Sequence, residues 1–189
     1  LGQIGYSTST APNTNNRLWT YNTNAPVYSS PAIVKGILYI GSTNGIFYAL
    51  DAQTGALIWT FATRGPIMSS PAVAYGIVYF LSCDGNIYAL DAATGALRWS
   101  VLIDTGPWPW SSPAVTQGKV FIADSSGWIH CLNAFNGAFI WSTFVGGNPN
   151  GPIAVANNKV FSGTHNLNQF SPTLVALNEN TGAIVWTYN

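Results

Sequence analysis

The sequence predicts an all-β fold made of repeated four-stranded antiparallel units, and three recurring features of the 189-residue chain predict it. The first is a series of tryptophans separated by 40, 40, 42 and 45 residues: Trp19, Trp59, Trp99, Trp141 and Trp186. The second is Ser-Ser-Pro-Ala, which keeps the same interval, and the third is a turn pair such as Asn44-Gly45 or Asp84-Gly85. A fixed period of about 20 to 50 residues indicates a repeat architecture.

The first unit shows how each predicted strand is recognised. "SSPAIV" (29–34) enters a strand through a proline, whose missing N–H is tolerated at a strand start. "GILYIGS" (36–42) is rich in residues that favour strands, and the Asn-Gly pair after it supplies a tight hairpin. "IFYALD" (46–51) is the third strand, and Thr-Gly then turns the chain into the fourth, "ALIWTF" (56–61).

Four short antiparallel strands in each 40-residue unit are typical of a β-propeller blade. A β-sandwich has no reason to repeat its sequence at this length, and the turns of a β-helix are shorter. We therefore predict a single β-propeller domain or fragment over 1–189, with repeats at about 20–59, 60–99, 100–141 and 142–186 and an N-terminal extension at 1–16.

The pattern Ala-x-Asp-x-x-Thr-Gly-x-x-x-Trp is complete at Ala49–Trp59 and Ala89–Trp99. It departs only by Asn178 in Ala176–Trp186, and by three residues in Cys131–Trp141. It resembles the tryptophan-docking motif of pyrroloquinoline-quinone-like β-propeller repeats, and the opening "GYSTSTAPNTNN" is similar to the start of archaeal propellers of this kind. The resemblance implies quinone-dependent alcohol or sugar dehydrogenases, or outer-membrane assembly factors, among the relatives.

We expect the motif residues to have a structural role. Asp and Thr-Gly should close the turn before the fourth strand, so that each indole lies over the next blade and donates its N–H to a backbone carbonyl there. The residues assigned to this docking are Trp19, Trp59, Trp99, Trp141, Trp186, Asp51, Asp91, Gly55, Gly95, Gly137 and Gly182.

The number of strands predicts a partial ring. Trp19 belongs to a lone outer-strand segment, "NRLWTY", and about four complete blades follow it, the last of which has its own fourth strand. Propellers of this kind usually close with seven or eight blades, so we expect further strands beyond Asn189 or in another molecule, with self-association as one route to a closed ring. A closed four-bladed ring is the alternative.

Composition excludes several classes of partner. Charged residues make up 6 % of the chain and the net charge is zero, so the surface does not attract phosphates and nucleic acid is not expected as a partner. The longest apolar runs are far shorter than the roughly 20 residues of a transmembrane helix. Abundant Thr and Asn with little Lys and Glu favour an extracellular or periplasmic location.

The residues needed for quinone chemistry are thinly represented. The resemblance implies a catalytic Asp, a calcium site and a vicinal cysteine pair, whereas Cys83 and Cys131 are 48 residues apart. Of the acidic residues only Asp104 and Asp124 have no evident role in a turn. His130 takes the place of the tyrosine found in the first two units, so we predict that its ring packs as a tyrosine ring would. We therefore predict no catalytic residue, no cofactor and no metal.

Two departures from the repeat predict a ligand rim. "DTGPWPWSS" adds two residues before the third inner strand, and "SGTHNLNQFSPT" is longer than its counterparts. Both are expected at one face, where aromatic rings suit a glycan or an extended polypeptide. The alternative is that the tryptophans only close the ring or an interface. The candidate rim residues are Tyr28, Met68, Trp108, Trp110 and His165.

These observations favour a non-catalytic binding or scaffold module that acts on a protein or glycan, or assembles with itself, outside the cytoplasm. A fragment of a quinone-dependent dehydrogenase-like enzyme is one alternative. A structural component of a cell-surface layer or filament is the other, because near-zero net charge reduces the repulsion between copies.

Overall fold

The computed structural model describes residues 16–103, 111–149, 151–164 and 173–188. These residues form strands only, without helices, as the turn spacing predicts. Outside the described residues lie three candidate rim residues, Trp108, Trp110 and His165, together with Asp104 and the N-terminal extension up to residue 15.

The described strands are numbered in chain order, and four consecutive strands form each blade. They are β1 (Ala32–Val34), β2 (Ile37–Gly41), β3 (Ile46–Asp51), β4 (Leu57–Ala62), β5 (Ala72–Ala74), β6 (Ile77–Leu81), β7 (Asn86–Asp91), β8 (Leu97–Leu102), β9 (Ala114–Thr116), β10 (Lys119–Ala123), β11 (Trp128–Asn133), β12 (Phe139–Phe144), β13 (Ala154–Ala156), β14 (Lys159–Thr164), β15 (Thr173–Asn178) and β16 (Ile184–Tyr188).

Each set of four strands is one antiparallel sheet with its strands in sequence order, so the sheets are meanders. We call them blades 1 to 4. The inner strands β1, β5, β9 and β13 lie side by side in succession. This arrangement confirms the predicted all-β, partial β-propeller fold.

Tight turns at glycine join the second and third strands. Gly45 has a φ of 79°, and its N–H donates to Ser42 O at 3.1 Å. Gly85 repeats this geometry with a φ of 88°. A left-handed residue at this position explains why Asn-Gly and Asp-Gly recur at fixed distances from each tryptophan.

A β-bulge precedes the tryptophan of every blade. Ala49 pairs with Trp59 while the next residue, Leu50, pairs with Leu57, so Ile58 is left without a partner in the ladder. The same shift occurs in β8, β12 and β16. A bulge bends its strand and re-aims the side chains after it. The four indoles of these strands therefore leave the sheet in the same way.

The segment around Trp19 differs from the predicted outer strand. Residues 16–22 form no ladder, because each described sheet already contains its own fourth strand. The segment is held by side chains and by its following loop, where Pro26 O accepts the N–H of Thr43 at 3.0 Å.

The core lies between blades rather than within a single sheet. Phe47 of blade 1 stacks on Phe80 of blade 2 with 4.0 Å between ring centroids, and both side chains are fully buried. Equivalent clusters join blades 2 and 3 and blades 3 and 4. Each blade therefore buries its apolar side chains against those of its neighbours.

Candidate functional site

The tryptophan of blade 1 enters a specific site on blade 2. Trp59 is 9 % exposed, and its Nε1 donates to the carbonyl oxygen of Ala92 at 3.1 Å. Tyr39 OH donates to the same oxygen at 2.9 Å, so both lone pairs of this carbonyl are used. A Cβ on Gly95 would lie 2.7 Å from the indole ring, which explains why the turn needs glycine there.

We call this glycine, together with the carbonyl of the third residue before it, the docking slot. The structure places the other tryptophans in equivalent slots: Trp19 Nε1 donates to Ala52 O at 3.1 Å, Trp99 Nε1 to Ala134 O at 3.0 Å, and Trp141 Nε1 to Glu179 O at 3.0 Å. The glycines against these indoles are Gly55, Gly137 and Gly182. No described blade follows β16, and Trp186 is 39 % exposed.

The aspartates assigned to the motif hold the slot turns closed. Asp51 Oδ1 accepts the N–H of Thr54 at 2.7 Å and its hydroxyl at 2.8 Å. These hydrogen bonds from Thr54 lower the pKa of Asp51 below its ordinary value. In blade 2 the Arg98 guanidinium, 2.7 Å from Asp91, and Thr94 together lower the pKa of Asp91 to about 2.

Asparagine replaces the aspartate in blades 3 and 4 without losing the turn. Asn133 Oδ1 accepts the N–H groups of Phe135 at 2.9 Å and Asn136 at 3.2 Å. Asn178 does the same for the turn of blade 4. A neutral amide oxygen suffices, because the turn needs only an acceptor for the backbone N–H groups two and three residues later.

The serines of the Ser-Ser-Pro-Ala marker form a network that the sequence reasoning missed. Ser69 Oγ is buried, accepts the N–H of Leu81 at 2.8 Å and lies 2.8 Å from the carbonyl oxygen of Leu81. Ser70 Oγ accepts the N–H of Ser30, and Ser112 Oγ accepts the N–H of Ser70, both at 2.9 Å. The first serine thus joins strands within a blade, and the second joins neighbouring blades. The sequence feature that could have predicted this network is the recurrence of both serines in each Ser-Ser-Pro-Ala marker.

The inner strands of blades 3 and 4 enclose a groove of about 440 Å³. Its walls are small aliphatic side chains, prolines and hydroxyls rather than charged groups. The lining residues are Ala72, Ser112, Pro113, Ala114, Val115, Thr116, Pro152, Ile153, Ala154 and Val155.

Only two of the candidate rim residues lie in the described part of the chain. Tyr28 is 61 % exposed, and Met68 is partly buried. Neither lines the groove. The grouping of the five candidates on one rim therefore stays a prediction.

Three polar side chains of blade 3 come together although the sequence reasoning saw no such grouping. His130 Nδ1 lies 2.8 Å from Ser142 Oγ, and His130 Nε2 lies 3.3 Å from Asp124 Oδ2. Asp124 Oδ1 also accepts the N–H groups of Ser126 at 3.0 Å and Trp128 at 2.8 Å. His130 thus fastens the hairpin between β10 and β11 to the outer strand, in addition to the packing expected of it.

Blade 2 has the counterpart of this contact at the same place. Tyr88 OH donates to Asp84 Oδ2 at 2.7 Å. Burial and the hydrogen bond to Asp84 raise the pKa of Tyr88. The shared geometry indicates that the ring of His130, like that of Tyr88, braces a turn.

The described residues do not fit a quinone and calcium site. They contain no group of three or more His, Cys, Asp or Glu side chains that converge. Glu179, 2 % exposed, pairs with Lys119 at 3.4 Å between blades 3 and 4. No disulfide joins Cys83 and Cys131, and burial raises the pKa of the Cys131 thiol to about 12.

Repeated blades joined by tryptophans in glycine slots define a pyrroloquinoline-quinone-like β-propeller repeat protein. The family model described as outer membrane protein assembly factor BamB matches residues 6–142 and, in an overlapping match, residues 84–189. The chain belongs to this family.

Solved structures show the same fold at low sequence identity. Quinohemoprotein alcohol dehydrogenase ADHIIG from Pseudomonas putida HK5 is 22 % identical with a TM-score of 0.76, over 89 % of this chain and 35 % of that one. Quinohemoprotein alcohol dehydrogenase from Comamonas testosteroni is also 22 % identical with a TM-score of 0.76, over 87 % of this chain and 35 % of that one. BamB from Moraxella catarrhalis is 21 % identical with a TM-score of 0.69, over 90 % and 64 %.

The chain thus spans about a third of the two dehydrogenases and somewhat under two thirds of that BamB. No curated protein matches it. The described residues contain no helix with the length and apolarity to cross a membrane.

Proposed function

We propose that this chain is a non-catalytic protein-binding scaffold that works outside the cytoplasm, in the manner suggested by the family description "outer membrane protein assembly factor". The observation that carries the proposal is the groove between the inner strands of blades 3 and 4. The further proposal is that this groove takes an extended segment of another protein.

The lining of the groove suits a polypeptide better than a sugar. Sugars are held by flat aromatic rings and by side-chain amides, whereas the groove offers small aliphatic side chains such as Ala154 and Val155 together with the backbone of two inner strands. β9 and β13 each pair with one strand of their own sheet, β10 and β14, so their other edges face away from it. An edge strand beside apolar pockets is the arrangement that binds extended peptides.

A non-catalytic role is supported by what the described carboxylates already do. Asp51 and Asp91 accept turn hydrogen bonds, Asp84 accepts from Tyr88, and Asp124 accepts two backbone N–H groups. These groups are engaged as structural acceptors. A general acid or base would instead have to be aimed at a substrate.

The groove is tested with a fluorescein-labelled peptide of alternating apolar and polar residues, the pattern of an outer-membrane strand. Ala154 is exposed and lines the groove, so Ala154→Arg should weaken binding by at least about tenfold in fluorescence anisotropy. Ala62→Arg is the matched control, because Ala62 is an exposed strand alanine on β4, away from the groove. Equal affinities in the two variants, or no binding to either, would contradict the proposal.

The absence of catalysis is tested separately. The purified chain is incubated with pyrroloquinoline quinone and Ca²⁺ and assayed for dye-linked oxidation of primary alcohols. We expect no turnover above the free quinone. Saturable, protein-dependent dye reduction would refute the non-catalytic part of the proposal.

A further inference from the structure

The outward face of blade 4 is open where the same face of the preceding blades is covered. Trp186 is 39 % exposed, against 9 % for Trp59 and 8 % for Trp99. Leu174 is 43 % exposed, whereas the equivalent Phe47 is fully buried against the next blade. Blade 4 therefore presents a complete docking face without a described blade on it.

The opposite face of blade 1 is also partly uncovered. Leu38 and Ile40 of β2 are half-buried, whereas the equivalent Val78 and Phe80 of β6 are fully buried by blade 1. The N-terminal segment covers part of this face through Trp19, which occupies the slot of Gly55. The two open faces thus correspond to the two halves of one blade–blade interface.

The same four residues occur at both places. Residues 19–22 read Trp-Thr-Tyr-Asn, and residues 186–189 read Trp-Thr-Tyr-Asn again. The other three units continue differently after their tryptophans, with Trp-Thr-Phe, Trp-Ser-Val and Trp-Ser-Thr. Only the strand that leaves blade 4 therefore carries the side chains now found in the slot of blade 1.

The slot of blade 1 contacts both aromatic residues of this tetrapeptide. Trp19 Nε1 donates to Ala52 O at 3.1 Å, and the ring of Tyr21 packs edge-on against Tyr48 with 5.5 Å between centroids. Phe61, two residues after Trp59, packs against Tyr88 of blade 2 at the same 5.5 Å. A tryptophan followed two positions later by an aromatic residue thus fits a blade that carries this tyrosine, as blades 1 and 2 do.

We propose that blade 4 of one copy docks on blade 1 of a second copy, with Trp186 and Tyr188 replacing Trp19 and Tyr21 in the slot. Docking of a second copy would extend the series of blade–blade interfaces that already runs from blade 1 to blade 4. The association is head-to-tail, so two copies that use both ends form a ring and longer series form open assemblies. Trp19 is the competitor that keeps the slot filled within one chain.

The competition between the two tryptophans sets the concentration at which copies associate. A segment tethered in the same chain has an effective concentration of the order of millimolar, so the slot is filled by Trp19 in dilute protein. Removal of Trp19 takes this competitor away. Trp19→Ala should therefore lower the dissociation constant for self-association by at least about tenfold.

The test is sedimentation velocity over a concentration series of the 189-residue chain. We expect weak association of the wild type, stronger association of Trp19→Ala, and none of the double variant Trp19→Ala/Trp186→Ala. A Trp19→Ala protein that stays monomeric throughout the series, or a double variant that associates as tightly as Trp19→Ala, would overturn the proposal.

A second measurement supplies the last strand of blade 4 as a free peptide. A labelled peptide with the sequence of residues 183–189 is added to Trp19→Ala and to the wild type, and its anisotropy is followed. Binding should be at least about tenfold tighter to Trp19→Ala. Gly55→Ala in the same background should abolish it, because a Cβ there would lie 2.6 Å from the ring position of Trp19, which the indole of the peptide is proposed to take.

Gly36→Ala is the matched control for Gly55→Ala. Gly36 has a φ of 78° and Gly55 a φ of 75°, but a Cβ on Gly36 meets nothing within 4 Å. Peptide binding should survive Gly36→Ala. Loss in both variants would show that the effect is not specific to the slot, and loss in neither would place the binding outside it. Either result would refute the proposal. Because Ala154 of the groove is unchanged in all these proteins, failure here is distinct from failure of peptide binding in the groove.

Discussion

The glycine of the docking slot provides the most direct test of how the blades are held together. Gly95 and Gly76 both belong to blade 2, with φ of 74° and 72°. Alanine at either position is forced into the left-handed region, which costs about 1–2 kcal/mol. A Cβ on Gly76 meets nothing within 4 Å, whereas one on Gly95 would lie 2.7 Å from the ring of Trp59.

The difference between the two variants therefore isolates the contact of the indole with its slot. Trp59 is only 9 % exposed and its Nε1 is hydrogen-bonded, so the ring cannot move aside without loss. Overpacking of this kind costs about 1–3 kcal/mol. We expect Gly76→Ala to lower the free energy of unfolding by about 1–2 kcal/mol and Gly95→Ala by about 2–5 kcal/mol.

The assay is equilibrium unfolding in urea, followed by tryptophan fluorescence and circular dichroism. Displacement of Trp59 should also shift the native emission of Gly95→Ala to longer wavelength, because the indole becomes hydrated. The reasoning would be refuted by equal losses of stability in the two variants, within about 0.5 kcal/mol, together with unchanged native emission.

Two further predictions concern the serine network and the turn carboxylates. Ser69→Ala leaves the buried N–H of Leu81 without its acceptor and should lower the free energy of unfolding in urea by about 1–3 kcal/mol. Ser100 is exposed, so Ser100→Ala should lower it little, and similar losses in the two variants would contradict the role assigned to Ser69. Arg98→Ala should raise the pKa of Asp91 above about 2, measured by carboxyl NMR. A depressed carboxyl pKa stabilises the fold above the unfolded value near 3.8, and this stabilisation is lost as the pH falls towards about 2. In the variant the pH-dependent loss should therefore be smaller and should be complete at a higher pH. An unchanged Asp91 titration would show that Thr94 alone sets the pKa.

Much of the fold was predictable because its determinants are local in the chain. The hairpin glycines, the strand-forming runs and the Asp-x-x-Thr-Gly turns act over a few residues and recur at each repeat. The predicted third strand "IFYALD" coincides with β3. Repetition made this reliable, since each blade solves the same packing problem with the same residues.

Other features depend on contacts between residues that lie far apart in the sequence. The acceptor of Trp59, the carbonyl of Ala92, is 33 residues away, and its identity follows from the register of a neighbouring sheet. His130 meets Ser142 only because β11 and β12 pair in one register. Sequence pattern carries no information on such pairings until the blades are placed side by side.

The amino-acid sequence by itself determined that this protein is a series of four-stranded blades with a tryptophan at each outer strand. The tertiary structure alone decided which face of each blade is covered. Trp59 and Trp186 stand in almost the same motif, but one is buried and the other is 39 % exposed. The physical reason is that a docking face is completed by the neighbouring blade and not by the residues that form it.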